Sequence, residues 1–269
     1  MADSISTISA PQQFAQQEVI PAEIIPLPSE GRVYPESSAL HGKKTISIKA
    51  MTAKEEDILT SRALLKSGRA IPTLLQSCVL DKDVDVGEML AGDRNAVLIG
   101  IRITGYGSDY KVNFTCGSCN EKISREVNLT SLPIKRFPEN VTPVAPGKNE
   151  FFYKLPVSGK QVTFKLMTGD DEQELLSTFE RSRKSGLADE IVTTRLRSQI
   201  LSISGETDKG KLATTIRNLP ARDSRSLRLY IDEITPGVKL VTDFECSSCG
   251  ATQEEVEVPL GTEFFWPAA

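Results

Sequence analysis

Short stretches in which apolar and polar residues alternate are followed, twice in this chain, by residues with helical spacing. In "KTISIK" (44–49), Ile46 and Ile48 fall on one face of a strand. "MTAKEEDILTSRALLKSG" (51–68) then predicts a helix, because Thr52 and Glu55 have the spacing of a capping box. The same order returns in "QVTFKLMTGDDEQELLSTFERSRKSG" (161–186), with Thr168 and Asp171 in the matching places and an acidic first turn that suits a helix N-terminus.

The stretches further on also repeat. "DRNAVLIGIRITGYGSDYKVNFTCGSC" (93–119) aligns without a gap to "DSRSLRLYIDEITPGVKLVTDFECSSC" (223–249), so Asp93 meets Asp223, Gly107 meets Gly237 and Phe114 meets Phe244. Each pair lies 130 positions apart, whereas Met51-Thr52 and Met167-Thr168 lie 116 apart, so 14 residues have entered the helical middle of the second copy. Two unrelated amphipathic helices would not keep a turn glycine, an aromatic and two cysteines in register. The expected fold is therefore α+β: two tandem pseudo-symmetric repeats, each a strand, a capped helix, one or two further helices, an Asp-opened helix and a period-two hairpin carrying Cys-x-x-Cys. The repeats span 43–131 and 151–260.

Outside the repeats the pattern lapses. Residues 1–42 include "QQEVIPAEIIPLPSEGRVYP", whose four prolines remove backbone donors and predict an extended N-terminal arm. Residues 132–150 read as a Pro-rich linker. Residues 261–269 form an aromatic tail, "GTEFFWPAA". An apolar arm needs something to lie on, either its own domain or a neighbouring subunit. The rings of the tail dock on the core or anchor a partner, where aromatics dominate interface energetics. The candidate partner-binding residues are Ile25, Leu27, Tyr34, Phe264, Phe265 and Trp266.

The cysteines carry the sharpest chemistry. Two thiolates three positions apart in a tight turn reach one metal, and a structural zinc takes four ligands in a tetrahedron. Neither "CGSC" (116–119) nor "CSSC" (246–249) suffices alone, and no histidine stands near either. The economical reading joins them: Cys116, Cys119, Cys246 and Cys249 close one zinc-ribbon-like four-cysteine site, with one structural Zn2+ per chain. A reduced cytosol argues against local disulfides, and hairpin placement argues against a thioredoxin-like redox pair. A closed four-thiolate shell leaves no open position for catalysis. Cys78, on an apolar helical run, reads as a buried small side chain.

Composition narrows the function classes. A net charge of −4 and a pI near 5.3 argue against nucleic acid as a partner. The one histidine, His41, lies in a loop-like stretch, which removes most His-dependent catalysis. There is no phosphate-binding loop and no dinucleotide fingerprint. No run of 18 apolar residues suggests a membrane span, and the N-terminus lacks the regions of a signal peptide. Asp93 and Asp223 read as helix caps, and "DDEQE" (170–174) as an acidic helix start. No catalytic residues, small-molecule substrate or enzyme activity are expected.

"IPLPSEGRVYP", "MTAKEEDILTSRALLKSG", "DRNAVLIGIRITGYG", both cysteine knuckles, "LPARDSRSLRLYI" and the terminal "EFFWP" together resemble the T-even-type phage baseplate protein family of contractile-tailed phages. The resemblance runs from about Ile25 to the end of the chain. It implies a role at the baseplate hub or in its assembly, other tail and baseplate proteins as partners, and residence in the virion tail after assembly in the host cytoplasm. It supplies no catalytic residues, and the zinc assignment rests on spacing alone. The leading expectation is a structural, zinc-stabilised adaptor. An assembly chaperone missing from the finished particle is the alternative, and a zinc-ribbon nucleic-acid module is less favoured by the acidic pI.

Overall fold

The computed structural model describes residues 22–184, 190–260 and 262–265, which form a mixed α and β fold of eight α-helices and small sheets. The first half opens with the antiparallel hairpin β1 (Ala22–Pro26) and β2 (Thr45–Lys49), Ala22 facing Lys49 and Pro26 facing Thr45. Period-two alternation turns Ile46 and Ile48 inward and leaves Thr45 and Ser47 outside. The Thr52 N–H and hydroxyl both donate to the Glu55 carboxylate, at 3.0 and 2.6 Å, and fix the start of α1 (Ala53–Thr60). α2 (Arg62–Lys66) and α3 (Ala70–Cys78) follow, α3 burying Leu74, Leu75 and Cys78. α4 (Ala91–Tyr106) is the central element, with an unbroken buried run from Ala96 to Arg102. It feeds the hairpin β3 (Asp109–Thr115) and β4 (Lys122–Asn128), then a 3-10 turn (Leu129–Ser131) and the short β5 (Ile134–Lys135).

The second half also opens on a hairpin and closes on a cysteine-bearing one. Hairpin β6 (Phe151–Lys154) and β7 (Gln161–Phe164) leads into α5 (Gly169–Lys184). The Thr168 N–H donates to Asp171 at 3.0 Å, and the Asp171 N–H returns a bond to the Thr168 hydroxyl at 3.3 Å. α6 (Ile191–Gln199), β8 (Ile200–Ile203), α7 (Lys209–Arg217) and α8 (Ala221–Ile234) follow. The chain then forms β9 (Gly237–Val238), the hairpin β10 (Val241–Glu245) and β11 (Thr252–Glu257), and a closing 3-10 turn (Thr262–Phe265). One strand goes beyond the sequence expectation: β8 pairs with β7 and makes a three-stranded sheet, where the first half has only the single bridge Ile48–Val79.

Both halves fasten their hairpin loop to a buried aspartate at the head of a later helix. Asp93 accepts from the Ser29 N–H at 2.9 Å, the Ser29 hydroxyl at 2.5 Å and the Tyr34 hydroxyl at 2.7 Å. Asp223 accepts from the N–H groups of Val157 and Ser158 at 2.7 and 3.0 Å. The expected role as N-caps of their own helices is replaced by this longer reach, because both carboxyls turn inward from the first turn.

Three segments set outside the repeats belong to the body instead. Of the arm expected over 1–42, residues 22–42 are folded: Leu27, Val33, Tyr34 and Leu40 are buried, because that much apolar surface is removed from water by lying over β2 and α4. The expected linker buries Leu132 and Phe137 and pairs β5 with β9. The tail turn buries Phe264 and Phe265, with Phe264 edge-on to Tyr110 at 5.2 Å and its carbonyl accepting from Arg102 Nε at 2.6 Å. Residues 1–21 and Trp266 lie outside the described residues.

The halves are also sewn together by backbone. Ala91 N–H donates to the Met167 carbonyl, and Gly169 N–H donates back to Met89. Gly92 lets α4 meet the Pro236–Gly237 backbone, since a Cβ there would stand 1.9 Å from the Pro236 oxygen.

A candidate four-cysteine metal centre

Each cysteine pair sits in the tip of a hairpin, and the two tips are built alike. The Cys116 N–H donates to Glu121 O and the Asn120 N–H returns to Cys116 O. At the other tip the Cys246 N–H donates to Ala251 O and the Gly250 N–H returns to Cys246 O. The tight turn demands a left-handed residue four positions after the first cysteine, supplied by Asn120 (φ 59°) and Gly250 (φ 71°). Both are residue types that enter this region at low strain. The turn aims both sulfurs of its pair in one direction.

The hairpins meet face to face. Phe114 and Phe244, two residues before each knuckle, stack at 5.0 Å with an interplanar angle of 18°, and both are buried. Such a pair is worth about 0.5–1.5 kcal/mol beyond its area. Arg125 on β4 reaches across to the Glu245 carbonyl at 2.5 Å. The contact brings the four sulfurs within 4.8 Å of one another. Two close separations cross between the halves: Cys116 to Cys249 at 3.8 Å and Cys119 to Cys246 at 3.7 Å. With zinc–sulfur bonds of about 2.3 Å, a tetrahedron has sulfur–sulfur edges of about 3.8 Å. A disulfide needs about 2.05 Å, and all four thiols are free.

The electrostatics point the same way. Backbone N–H groups of Cys119 and Ser118 aimed at the Cys116 sulfur pull its thiol down to about 6. The Ser118 N–H lies 3.4 Å from that sulfur, and Gln253 Nε2 adds a contact at 3.8 Å. At Cys119 the Glu121 N–H favours the thiolate, but desolvation and the three neighbouring sulfurs outweigh it and push the thiol up to about 12. Cys246 is lowered, its burial outweighed by the N–H groups of Cys249 and Ser248. Cys249 is raised, the bonds from Ala251 and Cys119 being outweighed by Cys246, burial and Cys116. Charge on one sulfur thus opposes charge on the next, and four thiolates can share this volume only around a cation. Cys116 and Cys246 are buried while Cys119 and Cys249 are exposed, so the cluster lies at the surface with one ligand of each pair facing solvent.

Soft thiolates in a tetrahedron suit zinc, and the four together leave no open coordination position. The sequence reading named these four residues. It did not find Ser118, Arg125 or Gln253, whose parts depend on how the hairpins face each other and leave no mark in spacing.

The partner candidates fall elsewhere. Leu27, Tyr34, Phe264 and Phe265 are buried in the chain's own core, and Ile25 packs partly buried with its side chain against Gly100. None lies at the cysteine cluster. His41 Nδ1 is 2.6 Å from the Tyr34 carbonyl, and Cys78 is buried in α3, where desolvation pushes its thiol up to about 11. No helix among the described residues is long and apolar enough to cross a membrane.

A family model described as T4 bacteriophage base plate protein matches residues 33–266. No curated protein and no solved structure matches the chain.

Proposed function

The chain belongs to the T4 bacteriophage base plate protein family, and from that premise we propose that it is a resident structural subunit of the hub region of a contractile tail, acting as a rigid adaptor between neighbouring baseplate proteins. The family supports a structural role in the phage baseplate, with other tail and baseplate proteins as partners. One observation carries the finer reading: each half of the chain supplies two of four sulfurs that lie within 4.8 Å of one another. One zinc held there would clamp the second halves of two duplicated units to each other. A zinc bound there would stabilise the fold through the contact of the two hairpin tips. The chain's chemistry in this reading is mechanical, since a closed shell of four thiolates offers neither a bound water nor a substrate position.

The experiment is complementation of a phage lacking this gene, followed by mass spectrometry of purified particles. Wild-type chain should be recovered at fixed stoichiometry in finished tails, and Cys116→Ser should lower both its recovery and the yield of complete tails. Recovery in assembly intermediates but not in finished particles would replace the resident subunit with an assembly chaperone.

A further inference from the structure

Helix α8 carries its charges in the order that a helix dipole disfavours. Acids are stabilised in the first turn and cations in the last. α5 follows that rule, with Asp170, Asp171 and Glu172 at its start and Arg181, Arg183 and Lys184 at its end. On the outer face of α8, Arg222, Arg225 and Arg228 precede Asp232 and Glu233, and the last turn has no basic residue of its own. Its one first-turn acid, Asp223, is turned inward onto the β6–β7 loop. The five outer residues are exposed, and none of them is in an ion pair among the described residues. This order works against the helix dipole, and Arg222 beside Asp223 and the Lys135 ammonium on the Asp232 carbonyl offset only part of it.

An exposed leucine stands beside Arg228 in the middle of the helix. Leu229 is 58% exposed and stands four residues after Arg225 and four before Glu233, so the three share one helical face. Read backwards from Leu229, Arg225 and Glu233 exchange places. We propose that α8 is the docking face for a second copy of this chain, the two helices packing antiparallel about a twofold axis that passes between the Leu229 side chains. Reversal sets Arg225 of each copy against the partner's Glu233 by equal spacing, and leucine meets leucine at the axis. Such a self-complementary patch is what an isologous dimer requires.

The first half shows that this face is suited to packing. Gly92 and Ile99, each 130 positions before Arg222 and Leu229, lie on α4. Gly92 rests on the Pro236–Gly237 backbone, and Ile99 is buried. The chain thus covers that face in one half and leaves it bare in the other. A helix of 14 residues is about 21 Å long, which gives a contact at the small end of specific interfaces and an affinity of roughly micromolar order. The inference stands independently of the metal and of the role in the baseplate.

Sedimentation velocity of the full chain, from low micromolar to several hundred micromolar, tests it. A monomer–dimer equilibrium is expected, weakened by added salt. R225E and E233R alone should each weaken the dimer roughly tenfold or more by placing like charges opposite each other. The double swap R225E/E233R restores opposite charges across the axis and should recover most of the affinity. Far-UV circular dichroism and the melting temperature of each variant show whether the fold is intact. A chain that stays monomeric at every concentration, a self-association indifferent to R225E, or single variants that the swap does not rescue would each overturn the proposal.

Discussion

Asp93 and Asp223 head matching helices and are both fully buried, yet their acidities move in opposite directions. Burial pushes Asp93 up, and the hydroxyls of Ser29 and Tyr34, with the Ser29 N–H, only partly resist it. Asp223 feels burial too, but the N–H groups of Val157 and Ser158 and the nearby Arg222 hold its carboxyl below the usual range. The depressed group contributes stability that is present above the unfolded carboxyl value of about 3.9 and is lost as pH falls through the lower folded value. Asp223→Asn should therefore destabilise the chain by about 1–3 kcal/mol near neutral pH, since a buried N–H loses its acceptor. Thermal melts of the two proteins should converge as pH is lowered below the ordinary carboxylate range, where the wild-type carboxyl itself protonates. A gap that stays constant across that range would show that the Asp223 charge is not what holds the loop.

At the scale of elements, the two helix starts carry equivalent networks. Burial raises the Glu55 carboxyl, but bonds from Lys49, Thr52 and Ser77 outweigh it and leave it at about 2. Lys49 reaches Glu55 at 2.6 Å, and Lys165 reaches Asp171 at the same 2.6 Å. Thr52→Ala and Thr168→Ala should each cost about 0.5–2 kcal/mol, measured by urea denaturation with an unchanged slope. A change in slope would indicate that a helix had been lost, not merely uncapped. The closing turn is a larger contributor. Phe264 is fully buried against Tyr110 and Phe265, and its backbone is held by the buried Arg102, so Phe264→Ala should cost about 3–5 kcal/mol in the same assay.

Much at this scale was legible because it depends on local spacing. Thr-x-x-acid marks a helix start, and Cys-x-x-Cys marks a hairpin tip, wherever they fold. What stayed hidden depends on distance along the chain. Nothing in "PLPSEGRVY" says that Ser29 and Tyr34 will find Asp93, and the prolines that suggest a free arm serve equally well in a covering segment. β8 was missed because "ILSI" (200–203) is too short to show a period and directly continues a helix. Gly92 is a glycine because the Pro236–Gly237 backbone passes against it, a contact spanning more than half the chain.

For the whole molecule, the cysteine cluster is one of several joints between the halves, with the β5–β9 pair and the Met89–Ala91 crossing to Met167–Gly169. Removal of a metal should therefore loosen the β3–β4 and β10–β11 tips without unfolding the chain. Hydrogen exchange after chelation should rise at Cys116–Glu121 and Cys246–Ala251 and remain slow in α4. Exchange that rose equally in α4 would mean that the clamp holds the entire fold. A zinc bridging the halves needs ligands from both knuckles. Metal content per chain decides this, by elemental analysis of protein purified without added zinc, with thiols counted in parallel. One zinc per chain, four protected thiols, and complete loss of metal in either Cys116→Ser or Cys246→Ser is the predicted result. No metal in the wild-type chain, or metal retained when one knuckle is broken, would contradict it.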